Sequence, residues 1–316
     1  MPAATRLIID TDTAGDDAFS LLLALRTPGV RFEAVTICNG NVDFNQQAEN
    51  ALYTIEVAGR GGDVPVYLGS ARPIMGRWQA AEFHGTDGMS EAGFPKAAQR
   101  PHPRHAVDAI VDLVMRNPGQ ITILAQAPLT NIALAYLMEP RIAAAVKHLW
   151  IMGGTDNDVG NITPAAEFNF FIDPEAAKIV FDAGFPITLS TWTLTLKSGS
   201  LAADDVARIA ALDTPLSRFF MTVSRVPRER ALARYGAAIS THPDSLTCAC
   251  LLNEGLILES ADAVVDVEAA GELTRGLSSI YPPRLVERWP DRDANARIIR
   301  TADTRGFADM LAAVLK

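Results

Sequence analysis

The chain has 316 residues, 48% of them hydrophobic and 21% charged, which is the composition of a globular protein with a large buried core. Its net charge of −9 argues against nucleic acid and against an anionic membrane surface as partners. Three cysteines make a disulfide framework unexpected and favour a reducing compartment. With no signal-peptide pattern and no apolar run of the ~18 residues that a membrane span needs, we expect a cytoplasmic protein.

Short apolar runs alternate with amphipathic stretches along most of the chain. The apolar runs predict buried strands at residues 7–10, 32–39, 64–68, 121–125, 148–152, 186–190 and 263–267. The amphipathic stretches predict helices at residues 44–58, 104–116, 129–137 and 174–183, and helical structure within 202–235. This alternation is typical of an α/β fold with a mostly parallel, Rossmann-like central sheet and helices on both of its faces. No linker or repeat interrupts the pattern, so we expect residues 1–316 to form one domain.

Four aspartates lie within eight positions where the first predicted strand ends and a helical run begins: Asp10, Asp12, Asp16 and Asp17. Side chains alternate along a strand, so Asp10 and Asp12 point to the same side. Two carboxylates about 4 Å apart repel by roughly 4 kcal/mol at an effective dielectric near 20, so the cluster indicates a bound cation. A hard divalent ion that takes oxygen ligands fits best. Helix capping is the alternative for Asp16 and Asp17, but it does not explain Asp10 and Asp12.

Two known carboxylate loops can be compared with this turn. An EF-hand needs Glu at its twelfth position, where this chain has Leu21, and a helix rather than a strand before the loop. A Mg²⁺-dependent phosphatase of the haloacid dehalogenase type also begins with Asp-x-Asp after its first strand. Here Ala14 leaves the fifth position of that motif unmatched, and Asp156 and Asp158 come before Lys197, the reverse of the required order. The phosphatase is kept as an alternative function.

The run from Asp10 to Ala18 resembles the opening motif of the inosine–uridine preferring nucleoside hydrolases, with Thr13-Ala14-Gly15 in place of the usual Pro-Gly-x. Further segments are similar to later blocks of that family and follow in the same order: Asn39-Gly-Asn41, His84-Gly85 with Gly88-Met89, residues 128–133, 152–154, 166–169 and 173–177. Together they span more than half of the chain. The resemblance implies the family's fold and Ca²⁺-dependent hydrolysis of the N-glycosidic bond of ribonucleosides, giving free base and ribose.

The resemblance also implies a metal site with a base beside it. Asp12 would contact the Ca²⁺ and its water and act as the general base. Asp17 would hold the ion with both carboxylate oxygens. Asp10, Asp244 and the backbone carbonyl of Gln126 would complete the set of ligands.

A second group of side chains is implied to bind the nucleoside. The ribose hydroxyls would be bound by Asp16, Asn161, Glu167 and Asn169. Asn41 would lie close to the attacking water, and His84 is a further polar contact to the nucleoside. The residues themselves support part of this, because Glu167 and Asn169 flank Phe168, and paired polar groups beside an aromatic ring suit a sugar with a base packed nearby.

Two positions depart from the pattern of the family. Gln126 stands where the family often has Thr, and Ala127 replaces the neighbouring Gly, although any residue keeps the backbone carbonyl. Late in the chain, Pro243 precedes Asp244 where one subgroup has the His that protonates the leaving base. His242 lies one residue earlier and is either a shifted acid or a structural histidine.

Other features give secondary expectations. Asp173 and the pair Thr130-Asn131 are predicted to cap helices. The basic residues between Arg225 and Arg234 are expected to form a solvated helix face, with a movable cover over the site as the alternative. Because the usual acid is missing at Pro243, a non-catalytic nucleoside- or sugar-binding protein is a second alternative function. Proteins that resemble this family commonly form dimers or tetramers, so we expect a homodimer or homotetramer.

Overall fold

A computed structural model describes residues 4–81, 83–237, 239–284 and 290–316. Its strands form a nine-stranded sheet and a separate two-stranded sheet. In chain order the strands are β1 (Thr5–Thr11), β2 (Val30–Ile37), β3 (Val66–Leu68), β4 (Ile121–Ala125), β5 (His148–Met152), β6 (Ile187–Ser190), β7 (Ser200–Leu201), β8 (Ser240–Thr241), β9 (Ile257–Val267), β10 (Ser278–Tyr281) and β11 (Ala296–Ala302).

The large sheet has the strand order β10-β9-β11-β6-β5-β4-β1-β2-β3. The strands from β1 to β6, together with β11, are parallel to one another, whereas β9 is antiparallel to both β11 and β10. The predicted mostly parallel α/β sheet is therefore confirmed. Strands β4 and β5 have the predicted bounds, the other predicted strands differ at their ends, and β7, β8, β10 and β11 are absent from the prediction.

The described residues contain thirteen α-helices and a short 3₁₀ helix at Glu254–Leu256. The α-helices are α1 (Asp16–Arg26), α2 (Phe44–Val57), α3 (Ala106–Arg116), α4 (Thr130–Met138), α5 (Ile142–Ala145), α6 (Phe168–Ile172), α7 (Pro174–Asp182), α8 (Trp192–Ser198), α9 (Ala203–Ala210), α10 (Pro215–Val223), α11 (Arg225–Tyr235), α12 (Pro243–Leu252) and α13 (Thr304–Val314). Asp173 caps α7 by accepting a hydrogen bond from Ala176 N at 3.1 Å, as predicted. None of the described helices combines the length and the apolar character that crossing a membrane requires.

Helices cover both faces of the large sheet, and the side chains of β1 alternate between two cores. Leu7 and Ile9 pack with α1, α2, α12 and α13, whereas Ile8 packs with α3, α4 and α7. All three side chains are fully buried, and burying each contributes about 1.5–3 kcal/mol to stability. This packing confirms the prediction of helices on both faces. It also fixes the orientation of β1 and therefore of the aspartates at its end.

The strand order reverses beside β1. The chain proceeds from β1 to β2 and β3 on one side and then returns to β4 on the other, which opens a crevice at the carboxyl ends of β1 and β4. Backbone hydrogen bonds join the loops at this edge, from Cys38 N to Thr11 O (3.0 Å) and from Gln126 N to Asp10 O (2.9 Å). The segments that follow β1, β2 and β4 therefore start side by side.

Candidate active site

The aspartate turn, which we define as residues 10–17, lies at the carboxyl end of β1 and is enclosed by protein. Asp10 and Asp12 are 0% exposed, Asp17 is 1% exposed and Asp16 is 4% exposed. Burial disfavours the charged form of a carboxyl group, so these acids require hydrogen-bond donors or a cation if they are to be ionised. Each of the four has a different set of partners.

Asp10 is held by side chains on β2 and α4. Its Oδ1 accepts hydrogen bonds from Thr36 Oγ1 (2.6 Å) and Asn131 Nδ2 (2.8 Å), while its Oδ2 is buried without a partner among the described residues. The prediction that Thr130-Asn131 caps a helix is wrong. No side chain caps α4, because Asn131 is committed to Asp10 and Thr130 donates to Asp173 at 2.6 Å.

Asp12 is packed against the turn that follows β2. Its Oδ2 accepts a hydrogen bond from the backbone N–H of Asn41 at 2.8 Å. Gly40 permits this approach, because a Cβ at that position would lie 1.8 Å from Asp12 Oδ2. Asp12 Oδ1 is buried and has no partner in the described part of the chain, so it is the oxygen able to accept a proton.

Asp17 receives donors on both oxygens. Its Oδ1 accepts from Thr11 Oγ1 (2.7 Å) and Gln126 Nε2 (3.1 Å), and its Oδ2 accepts from Ala14 N (3.1 Å) and Asn41 Nδ2 (3.4 Å). Asn41 thus contacts Asp12 through its backbone and Asp17 through its side chain. It therefore lies between the predicted base and a predicted metal ligand.

Asp16 binds the N-terminus of α12. Its Oδ2 accepts hydrogen bonds from the backbone N–H groups of Asp244 (2.6 Å) and Ser245 (3.2 Å). Its Oδ1 accepts from Ser245 Oγ (2.5 Å) and from His242 Nδ1 (2.8 Å). These bonds hold Asp244 beside the aspartate turn, a structural role for Asp16 that the sequence analysis does not predict. The contact between Asp16 and ribose stays a prediction.

His242 is enclosed by aromatic rings and is only 1% exposed. Its ring centroid lies 5.6 Å from those of Phe19 and Phe220 and 6.2 Å from that of Phe307. One ring nitrogen donates to Asp16, and the other, Nε2, is buried without a partner among the described residues. The placement favours the structural alternative for His242, and its role as a leaving-group acid stays a prediction.

The segment after β5 brings polar side chains to the same edge of the sheet. Glu167 accepts hydrogen bonds from the backbone N–H groups of Gly154 and Asn169, each at 2.9 Å, and so caps α6. Asn169 Nδ2 contacts the carbonyl oxygens of Gln126 (3.3 Å) and Met152 (3.2 Å). A predicted sugar ligand therefore touches the carbonyl that is predicted to bind the metal.

Phe168 and Asn161, two further predicted ligands of the nucleoside, contact each other. Phe168 is 8% exposed, and its backbone N–H donates to Asn161 Oδ1 at 2.8 Å. Asn161 itself is exposed. The structure thus brings Glu167 and Asn169 together with Gln126 and leaves Asn161 at the surface.

His84 lies against the aspartate turn. A Cβ on Gly15 would be 2.1 Å from His84 Nδ1, and Gly15 also has a φ of +46°, so this position favours glycine twice over. Burial lowers the pKa of His84 to about 4, which makes the imidazole neutral at pH 7. A neutral imidazole can both donate and accept a hydrogen bond.

The basic helix α11 is fixed to the segment that carries His84. Ser90 N donates to His84 O at 2.9 Å, Ser90 Oγ donates to Val223 O at 2.5 Å, and Arg225 Nη2 donates to Ser90 O at 2.5 Å. Arg225, Arg230 and Arg234 are exposed, as the predicted solvated face requires, whereas Arg228 is half-buried and donates to Ser224 Oγ and Met221 O, each at 3.1 Å. The alternative of a movable cover stays a hypothesis.

Burial dominates the electrostatics of the site. It raises the pKa of Asp10, Asp17 and Glu167 to about 7 each. It also raises the pKa of Asp12 and of Asp244 well above the usual range for Asp, and the negative charge of Asp17 adds to both shifts. Asp10, Asp17 and Glu167 are therefore poised between the neutral and charged forms near neutral pH.

The donors of the site suit a hard divalent cation. In the described part of the chain, no three His, Cys, Asp or Glu side chains are already set as a metal site. The donor chemistry nevertheless fits, because Asp10 Oδ2 and Asp12 Oδ1 are buried oxygens without partners among the described residues. Buried, unpartnered oxygens with raised pKa values are stabilised by a cation that binds oxygen.

The raised pKa values predict how the metal-free protein responds to pH. Unfolding returns Asp10, Asp17 and Glu167 to ordinary pKa values of about 4, so the folded state keeps protons that the unfolded state has released. This stabilising contribution is complete below the unfolded pKa and is lost as the pH rises through about 7.

We therefore expect the thermal unfolding midpoint of chelator-treated protein to decrease as the pH is raised from about 5 to about 8. Added Ca²⁺ should remove most of this fall, because it stabilises the ionised carboxylates. Scanning fluorimetry with and without Ca²⁺ measures both curves. A midpoint in chelator that rises over this range would contradict the raised pKa values.

Comparisons with known proteins show what this chain is similar to. The family profile described as "Inosine-uridine preferring nucleoside hydrolase" matches residues 7–309. The chain is 35% identical to an uncharacterized protein of Schizosaccharomyces pombe over 97% of both chains. It is 33% identical to the pyrimidine-specific ribonucleoside hydrolase RihA of Shewanella sp. (strain MR-7), covering 96% of this chain and 94% of the relative. The plant nucleoside hydrolase PpNRh1 superposes with a TM-score of 0.92 at 29% identity, over 98% of each chain. The family resemblance and the fold expected from the sequence are both confirmed.

Proposed function

This chain belongs to the inosine–uridine preferring nucleoside hydrolase family, and from that premise we propose a Ca²⁺-dependent reaction in which Asp12 is the general base. The reaction is hydrolysis of the N-glycosidic bond of a ribonucleoside, giving free base and ribose. The observation that carries the assignment of Asp12 is its buried Oδ1, which has no partner among the described residues and belongs to a carboxyl group of raised pKa.

The cation would be held by the carboxylates of Asp10, Asp12, Asp17 and Asp244 and by the carbonyl of Gln126. When bound, Ca²⁺ would act as a Lewis acid that lowers the pKa of water and orients the ribose hydroxyls. The hydrogen bonds from Thr36 and Asn131 to Asp10 support this set, because they orient one oxygen and leave the other available.

Asp12 removes the proton from the attacking water. The water oxygen forms a bond to C1′ of the ribose while its proton passes to Asp12 Oδ1. The bond from C1′ to the base nitrogen breaks, and its electron pair leaves with the base. The base takes up one proton from solvent, and Asp12 releases its proton to solvent before the next turnover, so protons balance.

The sugar carries positive charge as this bond breaks, and nearby carboxylates stabilise that charge. Glu167 is buried close enough for its negative charge to raise the pKa of Asp12, which supports a place for it beside the sugar. Asn169 lies against Gln126 O, which supports a ribose contact next to the cation. Asp16 and Asn161 complete the proposed set of ribose ligands, with Phe168 packed nearby.

The leaving base must gain a proton, and two histidines, His242 and His84, lie at the aspartate turn. His242 is enclosed by three aromatic rings, so we assign it to positioning Asp16. His84 is neutral at pH 7 and contacts the aspartate turn, and we propose that it contacts the nucleoside. The name of the Shewanella relative makes pyrimidine nucleosides the first substrates to test.

A product assay on purified protein tests the proposed function and its alternatives together. Uridine, cytidine, inosine, guanosine and adenosine are incubated with Ca²⁺, and free base and reducing sugar are measured. A nucleoside monophosphate with Mg²⁺ is assayed for phosphate in parallel. We expect base and ribose in equal amounts from at least one nucleoside and no phosphate. Phosphate release would support the phosphatase, and an intact bound nucleoside after hours would support a non-catalytic binder.

The same proposal treats the chain as a single domain, since nine strands drawn from residues 5–302 form one sheet. We also propose a homodimer or homotetramer and a cytoplasmic location. Sedimentation of the purified protein measures the oligomeric state, and a monomer would contradict the proposed homodimer or homotetramer.

A further inference from the structure

Asn50 connects two segments of the candidate active site that are far apart in the chain. It lies on α2 and is only 4% exposed. Its Nδ2 donates hydrogen bonds to the carbonyl oxygen of Thr13, in the aspartate turn, and to the carbonyl oxygen of Asp87, each at 2.9 Å. Residues 84–90, which we define as the His84 loop, are thereby joined to the aspartate turn through one side chain.

The chemistry of its partners fixes the orientation of the Asn50 amide. A backbone carbonyl only accepts hydrogen bonds, so the amide nitrogen must face Thr13 and Asp87, and both of its N–H groups are used. The amide oxygen accepts a hydrogen bond from Gln46 Nε2 at 2.9 Å, one turn earlier in α2. Asn50 is therefore held in the orientation that bridges the two carbonyl groups.

The His84 loop lies directly against the aspartate turn at this bridge. Gly15 N donates to Gly88 O at 2.7 Å. A Cβ on Gly88 would lie 2.9 Å from Ala14 Cβ and 3.1 Å from Asn50 Nδ2. The other end of the loop carries His84, whose Nδ1 is buried close to Gly15 and has no partner among the described residues. The place of His84 at the aspartate turn therefore depends on how this loop is docked.

We propose that Asn50 is a positioning residue that holds His84 in place to bind the nucleoside. Removing its amide leaves the carbonyl groups of Thr13 and Asp87 without their common donor, so the loop loses part of its attachment to the turn. Asp12 is held separately by the backbone N–H of Asn41 at 2.8 Å, so the proposed base should keep its place. The proposal rests on the contact between His84 and the nucleoside in the proposed function.

Asn50→Ala tests this, because it removes the amide and keeps a residue that favours the helix. We expect KM for the best nucleoside to rise about tenfold and kcat to fall by less than about threefold, since the lost interaction serves substrate binding. The effect should be absent when Asn50→Ala is added to His84→Ala, because two residues that act as one unit are not additive. Steady-state kinetics on the three variants measures this coupling. A merely structural role would give effects that add, and additive effects would overturn the proposal.

Chemical labelling gives a second readout that does not require turnover. Diethyl pyrocarbonate modifies accessible imidazoles, and mass spectrometry of peptides measures the rate at each histidine. Asn50→Ala should raise the rate at His84 about threefold or more, relative to the exposed His105 of the same sample, because the loop opens more often.

Asn45→Ala is the matched control, because Asn45 is exposed on the same helix. It should leave KM and the labelling of His84 unchanged. If Asn50→Ala fails to fold by circular dichroism, Gly88→Ala decides the outcome, because the positive φ of +72° and the added Cβ both displace the loop from the same docking point.

The outcomes separate this proposal from the proposed function. A wild-type KM and a wild-type labelling rate in the deciding variant would overturn the role of Asn50. A wild-type KM in His84→Ala would also overturn it, because the contact on which it rests would be absent, while hydrolysis itself would stand. A wild-type protein that releases no ribose would instead contradict the proposed function, and the labelling rates would still decide whether Asn50 docks the His84 loop.

Discussion

Replacing Asp12 by Asn is expected to lower kcat about 10³-fold, the contribution of a well-placed general base. Asn keeps the shape of Asp, and its amide oxygen can still accept the hydrogen bond that Asn41 N donates at 2.8 Å. The turn after β2 should therefore keep its place, and the thermal midpoint of the variant should stay close to that of the wild type. Steady-state kinetics on the best nucleoside of the panel measures the loss.

The matched control for this variant is Asp303→Asn. Asp303 caps α13 by accepting a hydrogen bond from Gly306 N at 3.0 Å, and Asn caps helices about as well as Asp. This control should keep wild-type kcat. If Asp12→Asn turns over at the wild-type rate, Asp12 is not the base, whatever the metal content of the variant.

Replacing Asp17 by Ala is expected to weaken cation binding by about 100-fold or more, since it removes a charged oxygen ligand at the start of α1. Its partners Thr11 and Gln126 would lose their common acceptor, so the remaining ligands would also lose their support. Elemental analysis after dialysis measures retained metal for each mole of protein. Turnover at a fixed, low Ca²⁺ concentration should fall in parallel.

Asp63→Ala provides the control for the loss of one carboxylate. Asp63 is exposed and pairs only with Arg60 among the described residues, at 2.9 Å. Its removal should leave the retained metal unchanged. Full metal retention by Asp17→Ala would exclude Asp17 as a ligand.

The sequence predicts those parts of the fold and site that depend on local pattern. The runs at 121–125 and 148–152 are mostly apolar, and both are strands with the predicted bounds. Strands β7 and β8 are each two residues long, which is too short to show an apolar run or an alternation of polar and apolar residues. The aspartate turn is recognisable because four acids lie within a few positions.

The supporting hydrogen bonds could not be predicted, because they join residues far apart in the chain. Asn131 reads as a helix cap beside Thr130, and only the register of β1 against β4 brings its amide to Asp10. Asp16 likewise reads as a first-turn residue of its own helix, although it caps α12 more than 200 residues later. In both cases the local sequence predicts a helix-end role, but the side chain forms its hydrogen bonds with a residue far away in the chain.

The central claim is that hydrolysis depends on a divalent cation bound at the aspartate turn, and adding Ca²⁺ back to stripped protein tests it most directly. Protein treated with EGTA and desalted is titrated with Ca²⁺ while bound metal and nucleoside hydrolysis are measured on the same samples. We expect no turnover without metal and a rise in proportion to bound Ca²⁺, complete at one ion per chain. Full turnover in protein shown to be free of metal would contradict the claim.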